Sequence, residues 1–126
     1  MAKRLFISFA IEDAQYRDFL VGQSRLDACP FEFVDMSVKE PWSTDWKIKC
    51  RSKIKGCDGM VAILSRNTPN ATGARWEIAC AREESVPVLG VYVSDTNRPA
   101  STPAELVGVR SISWTWDGIK RFIDAL

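Results

Sequence analysis

Apolar residues in this chain fall into short unbroken runs, separated by stretches with helical spacing. The first run, Arg4-Leu5-Phe6-Ile7-Ser8-Phe9, is rich in β formers and predicts a buried strand. Residues 11–26 then predict a helix, with Tyr16, Phe19 and Leu20 on one apolar face and Leu26 extending it. Phe31-Glu32-Phe33-Val34-Asp35 reads as a second strand set off by Pro30, and a loop containing Pro41 follows over 36–44. A helix is expected from Trp46 to about Lys55, capped by Thr44 or Asp45, with Trp46, Ile48, Cys50 and Ile54 as its stripe and Gly56 at its end. Gly59-Met60-Val61-Ala62-Ile63-Leu64-Ser65 is the clearest strand pattern in the chain.

A polar loop with Pro69 leads to a helix over 72–84, and 86–93 forms another buried strand. Residues 94–102 read as a loop, 109–113 as a weaker fifth strand, and a closing helix begins at Thr115 or Asp117. Strand and helix alternate, with a less regular element between strands four and five. Near-continuous apolar strands flanked by helices indicate a parallel sheet covered on both faces. The expected fold is therefore α/β: a flavodoxin-like, doubly wound five-stranded sheet forming a single domain over 1–126. Ligands in such folds bind beyond the carboxyl ends of the strands.

Composition narrows the chemistry. Seventeen basic and sixteen acidic residues leave a net charge of +1, too balanced for a nucleic-acid partner that demands a concentrated basic field. No histidine is present, which excludes Ser-His-Asp and Cys-His nucleophile systems and histidine-ligated zinc; acid–base work falls to carboxylates, Lys, Tyr or Cys. The cysteines at 29, 50, 57 and 80 form no CxxC pair, so neither a redox motif nor a zinc knuckle is expected, and no metal is assigned. Reduced thiols and a cytoplasmic location are the simplest reading, because Leu5-Phe6-Ile7 is interrupted by Ser8 and runs into Glu12-Asp13 rather than forming a leader. The most apolar stretch, 86–93, is far too short to span a membrane.

The strand exits carry Ser8-Phe9-Ala10, Asp35-Met36, Ser65-Arg66-Asn67-Thr68 and Ser94-Asp95. A phosphoacceptor receiver domain needs acidic residues where Ser8-Phe9 and Ser65 stand. No GxGxxG or GxxxxGK[ST] loop occurs either. A flavin-binding relative lacks its Ser/Thr-rich phosphate loop after strand one. On the helix over 72–84, Glu77 has Gly73, Ala74, Cys80 and Ala81 at i±3 and i±4, all small. Such neighbours leave room for a ligand or for another element packing close; the competing reading is a solvent-facing glutamate on an amphipathic helix. Asp35 reads equally as a loop-capping residue or a ligand contact, Trp42 and Trp46 as packing or cleft residues, and Cys80 as a small packing residue. Trp114 and Trp116 are expected to pin the last helix.

These segments together resemble the TIR family. Lys3-Arg4-Leu5-Phe6-Ile7-Ser8-Phe9 with Glu12-Asp13 is similar to its first box, and Phe33-Val34-Asp35 to the second, before the variable BB loop. Asp58-Gly59-Met60-Val61-Ala62-Ile63-Leu64-Ser65 with Asn67-Thr68 resembles the third strand and its exit. Arg75-Trp76-Glu77-Ile78 with Ala81 looks like the helix bearing the catalytic glutamate, followed by the strand at Val86-Pro87-Val88-Leu89-Gly90-Val91. The likeness is to the bacterial subfamily that includes the TIR component of Thoeris antiphage defence. Three places depart from the family pattern: Gly73 instead of an aromatic, Lys39-Glu40-Pro41-Trp42 without a Pro-Gly signature, and Ala10-Ile11 where basic residues are common.

The resemblance implies an enzyme that splits the nicotinamide–ribose bond of NAD⁺, its substrate rather than a bound cofactor. Glu77 would be catalytic, with Ser8, Phe9, Asp35 and Trp46 binding substrate. Such cleavage builds positive charge at the ribose carbon while nicotinamide departs as a neutral base, so one carboxylate and no general acid suffice. It further implies a cyclic ADP-ribose-type signal, self-association, and an effector reached through that product. The departures motivate an alternative of another class, a non-catalytic TIR-like adaptor.

Overall fold

The computed structural model of the chain describes residues 3–27, 29, 31–36 and 39–126. Five parallel strands make one sheet: β1 (Lys3–Ser8), β2 (Phe31–Val34), β3 (Gly59–Leu64), β4 (Val88–Tyr92) and β5 (Ser111–Ser113). Their order is β2-β1-β3-β4-β5. The order reverses between β1 and β3, the crevice where doubly wound sheets bind ligands. Four α-helices connect or close the strands: α1 (Ala14–Leu26), α2 (Thr44–Lys55), α3 (Thr72–Glu83) and α4 (Trp116–Asp124). The less regular element before β5 is a 3₁₀ turn at Ala104–Leu106.

Alternation along each strand divides the core in two. Phe6, Met60, Ala62 and Leu64 pack against Cys50 and Ile54 of α2 and Ile78 and Ala81 of α3. Leu5, Ile7, Val61, Ile63, Leu89 and Val91 face Leu20 of α1 and Ile119 and Ile123 of α4. Every residue of β3 is buried, as expected of a central strand covered on both sides. Each such aliphatic side chain contributes about 1.5–3 kcal/mol on burial. No helix among the described residues is long and apolar enough to cross a membrane.

Several boundaries differ from the sequence pattern, each for a local reason. Ile11–Asp13 forms a 3₁₀ turn, so the α-helix begins at Ala14. Phe19 and Leu26 are exposed, at 58% and 91%, and Leu20 with Ser24 faces the sheet instead. The Phe19 ring is not idle, since it stands edge-on to Trp114 with centroids 5.8 Å apart. In α2 the buried residues Trp46, Cys50 and Ile54 follow an i, i+4 spacing, which turns Ile48 outward to 64% exposure. The cap of α2 is Ser43, whose Oγ accepts from the Trp46 N–H at 3.2 Å, and not Thr44 or Asp45, which lie inside the helix. Gly56 does end α2, with an ordinary φ of −81°.

β4 starts at Val88 because Pro87 lacks an N–H, although its carbonyl still accepts from Met60 N. Thr115 caps α4 by accepting from Gly118 N, leaving Asp117 within the first turn. Trp114 and Trp116 donate their indole N–H groups to Gln23 and Asp27, at 2.9 and 2.8 Å, and so tie the chain entering α4 to α1. The four cysteines carry free thiols, with Cys80 buried as a packing residue. Pro30 lies outside the described residues, as do positions 37–38 of the loop expected over 36–44.

Candidate functional site

The site forms where β1 ends beneath the first half of α3. Helix α3 follows a 3₁₀ turn at Thr68–Asn70, and its sheet-facing residues are Gly73, Ala74, Glu77, Ile78, Cys80 and Ala81. The small residues let α3 settle close to the sheet and draw Glu77 inward with it. Glu77 is 0% exposed, which excludes the solvent-facing reading. Burial of a carboxylate is expensive unless its oxygens are satisfied. Here Ser8 Oγ donates to Oε1 at 3.0 Å, and the Lys39 ammonium donates to Oε1 at 3.0 Å and to Oε2 at 2.8 Å. The Cys50 thiol lies 3.9 Å from Oε2.

Burial pushes the Glu77 carboxyl up to about 7 against an ordinary 4.5, the ammonium of Lys39 and the hydroxyl of Ser8 pull it back, and Asp35 adds to the rise. The carboxyl therefore sits near the midpoint of its titration at neutral pH, as groups in chemically active sites frequently do. The Cys50 thiol is driven up by burial and by the adjacent Glu77, so it is no nucleophile.

Lys39 closes this arrangement from above. Its side chain is only 9% exposed, and its Nζ lies 4.2 Å from the Phe9 ring centroid, a cation–π contact. A methyl group placed on Gly73 would come within 2.7 Å of the Lys39 Cβ, so the space that glycine leaves is occupied by the lysine stem. A hollow of about 180 Å³ opens on the outer side, walled by Ala10, Glu12, Lys39, Asn70 and Gly73.

The residues expected at the site divide into two groups. Ser8, Phe9 and Glu77 converge, although Phe9 is fully buried beneath Lys39 and the Arg17 guanidinium rather than forming the wall of an open cleft. Asp35 and Trp46 instead line a neighbouring hollow of about 410 Å³ together with Met36, Ser43 and Lys49. Asp35 is engaged by Arg17 at 2.7 Å, and Trp46, 5% exposed, stands edge-on to Trp76 at 5.3 Å. A larger aromatic groove of about 700 Å³, between Tyr16, Phe19 and Trp114, does not include Glu77.

Two further residues, named in the sequence only as parts of family segments, were given no role at the site there. Lys39 lies in a loop without periodicity, and only the missing side chain at Gly73 hinted that something must cover it. Asp13 is 2% exposed, and its carboxylate accepts from the Ser65 hydroxyl and from Asn67 Nδ2 at 3.0 Å, while Thr68 Oγ1 accepts from Ser65 N. This cluster fastens the exit of β3 to the start of α1, beside the site. Among the described residues no group of three or more acidic, cysteine or histidine side chains is placed to hold a metal ion.

The geometry can be set beside known proteins. The chain is similar over almost its full length to the CMP N-glycosidase BcmB of Clostridium botulinum, with 18% identity and a TM-score of 0.53; the match covers 98% of this chain and 97% of that one. It also resembles a 3-dehydroquinate dehydratase-like protein from Bifidobacterium longum, at 13% identity and a TM-score of 0.50, covering 99% and 94%. At these identities the likeness is one of fold. No curated protein matches. Residues 6–98, which hold Ser8, Phe9, Asp35, Lys39, Trp46 and Glu77, match the family described as "Thoeris protein ThsB, TIR-like domain". The chain belongs to the TIR-like domain family of the Thoeris protein ThsB.

Proposed function

We propose that the domain cleaves the nicotinamide–ribose bond of NAD⁺, with Glu77 as the catalytic carboxylate, and produces an ADP-ribose-derived signal in bacterial antiphage defence. The observation that carries this reading is a buried carboxylate at the β1/β3 switch point, poised to ionise near neutrality, with a hydroxyl already oriented on it. The C–N bond breaks with its electron pair leaving on nicotinamide, which needs no proton. The ribose carbon becomes cationic, and anionic Glu77 stabilises that charge in a water-poor setting where the interaction is strong. Capture by water gives ADP-ribose; capture by a nucleophile of ADP-ribose itself gives a cyclic product.

Ser8 holds Oε1 in place, Phe9 offers a π face to positive charge, and Asp35 and Trp46 contact the rest of the dinucleotide from the adjoining hollow. Membership of the Thoeris ThsB family supports the setting, and the CMP N-glycosidase of the same fold acts, by its name, on a glycosidic C–N bond. The protein works in the cytoplasm by self-association, and its product reaches an effector protein; neither nucleic acid nor membrane is a partner.

A second reading is favoured by the completeness of the Lys39–Glu77 pair: the carboxylate would be a structural anchor and the domain a non-catalytic adaptor. Mass spectrometry of nucleotides after incubating concentrated protein with NAD⁺ separates the two. A nicotinamide product with linear or cyclic ADP-ribose supports the enzyme. Unchanged NAD⁺ supports the adaptor.

A further inference from the structure

On the face of the sheet opposite Glu77, α1 and the exits of β4 and β5 enclose the groove of about 700 Å³. Val93 follows the last residue of β4 and Trp114 the last of β5, while Gln15, Tyr16, Phe19 and Gln23 come from α1. The groove therefore opens at the carboxyl edge of the sheet, where doubly wound folds present their ligands. The NAD⁺ chemistry proposed at Glu77 does not involve it. We propose that this groove is a second ligand site, which takes the neutral purine base of a nucleoside or nucleotide. The base stacks on Trp114 and hydrogen-bonds to the carboxamides of Gln15 and Gln23.

The rings leave a stacking position open. Tyr16 is tilted 51° to the Trp114 indole with centroids 6.4 Å apart, and Phe19 stands at 65° and 5.8 Å. Neither ring lies flat on the indole, and Phe19 is 58% exposed. A planar ring entering the groove supplies the missing stack and covers Phe19. The indole itself is held in place. Its N–H can only donate, so the 2.9 Å bond to Gln23 uses the amide oxygen and leaves the amide hydrogens for a ligand. Gln15, Phe19 and Gln23 fall at i, i+4 and i+8 on α1, which sets a carboxamide one turn to either side of the Phe19 ring. A carboxamide carries a donor beside an acceptor, the complement of the adenine edge formed by the exocyclic amine and the adjacent ring nitrogen.

Charge, or its absence, selects the class of ligand. Among the described residues that line the groove none is charged. The hollow beside Asp35 holds lysines and carboxylates, and the one beside Glu77 holds Lys39 and Glu12. A cationic ligand would meet no carboxylate in the groove, and a phosphate no cation, so recognition falls on the ring. A purely apolar ligand would strip water from two carboxamides without replacing its hydrogen bonds. A sugar would bury more hydroxyls than two carboxamides can satisfy.

The test titrates the ¹⁵N-labelled full chain with adenosine and follows the tryptophan indole N–H signals, those of Trp114 and Trp46 being assigned from Trp114→Phe and Trp46→Phe. The Trp114 signal should move saturably at millimolar adenosine. Binding should weaken at least ~5-fold in Phe19→Ala and return in Phe19→Tyr, which restores the ring. Unchanged indole signals in the ligand-free variants report that the fold is kept. AMP should bind no tighter than adenosine, because its phosphate finds no cation. Glu77→Gln should bind adenosine as the wild type does, so the groove stands or falls apart from the NAD⁺ reading. A Trp114 signal that stays still, or a Phe19→Ala variant that binds as tightly as the wild type, overturns the proposal. Movement of the Trp46 signal alone puts the base in the Asp35 hollow and overturns it too. Tighter binding of AMP, or an equal response to methyl glucoside, overturns recognition of the base.

Discussion

The Ser8 hydroxyl and the Glu77 carboxylate, 69 positions apart in sequence, meet in the interior with Oγ 3.0 Å from Oε1. Strand β1 delivers the donor on the face it shares with Phe6, and α3 delivers the acceptor from above. The bond favours the ionised carboxyl and opposes the upward push of burial. Ser8→Ala removes that help and moves the Glu77 pKa further up. Because the anion is the working form, the rise of NAD⁺ cleavage with pH should shift to higher pH in Ser8→Ala, with the largest loss of rate below neutrality. A pH–rate profile of both proteins reads this; a profile that merely scales down without shifting contradicts it.

Stability carries the opposite sign. With Glu77 held near 7 in the folded protein and 4.5 as its ordinary value, the folded state binds the proton more tightly than the unfolded chain. The contribution of this group is therefore fully present below about pH 4.5, declines as pH rises towards 7, and is flat above. By linkage it amounts to at most roughly 3 kcal/mol across that window. Urea denaturation at pH 5 and pH 8 should show the wild type losing more stability on going to pH 8 than Glu77→Gln does.

The Asp13 cluster predicts a purely structural cost. Asp13→Ala leaves the Ser65 hydroxyl and the Asn67 amide without their acceptor in a buried place. The unmet donors cost about 1–3 kcal/mol. Its neighbour Glu12 is exposed, so Glu12→Ala should change stability by less than about 0.5 kcal/mol. Thermal or urea unfolding of the pair measures the contrast.

Much of the fold was written in the sequence because burial of a central strand imposes an unbroken apolar run. Phe6, Ile7, Met60–Leu64 and Leu89–Val91 declare themselves that way, and a parallel, doubly wound order follows from the helical stretches between them. Helix faces were less legible. Phe19 and Ile48 look like core residues by type, but the sheet selects a face by geometry, and their angular positions point away from it. Glu77 was marked by the small residues around it, which is the trace an inward carboxylate leaves on its own helix. Lys39 was not marked, because a lysine in an aperiodic loop is ordinarily solvated and its partner lies 38 positions away. Asp13 was named with Glu12 in the first box, but its burial was not foreseen for the same reason, an acidic residue at a helix start being ordinary on the surface.

The central assignment is that one carboxylate steadies the developing ribosyl cation, and nicotinamide release tests it most directly. The wild type at high protein concentration should release nicotinamide from NAD⁺. Glu77→Gln, which keeps the shape and removes the charge, should lower that rate by at least ~100-fold while retaining its circular dichroism spectrum. Release by Glu77→Gln at the rate of the wild type would contradict the assignment, as would no release from the wild type.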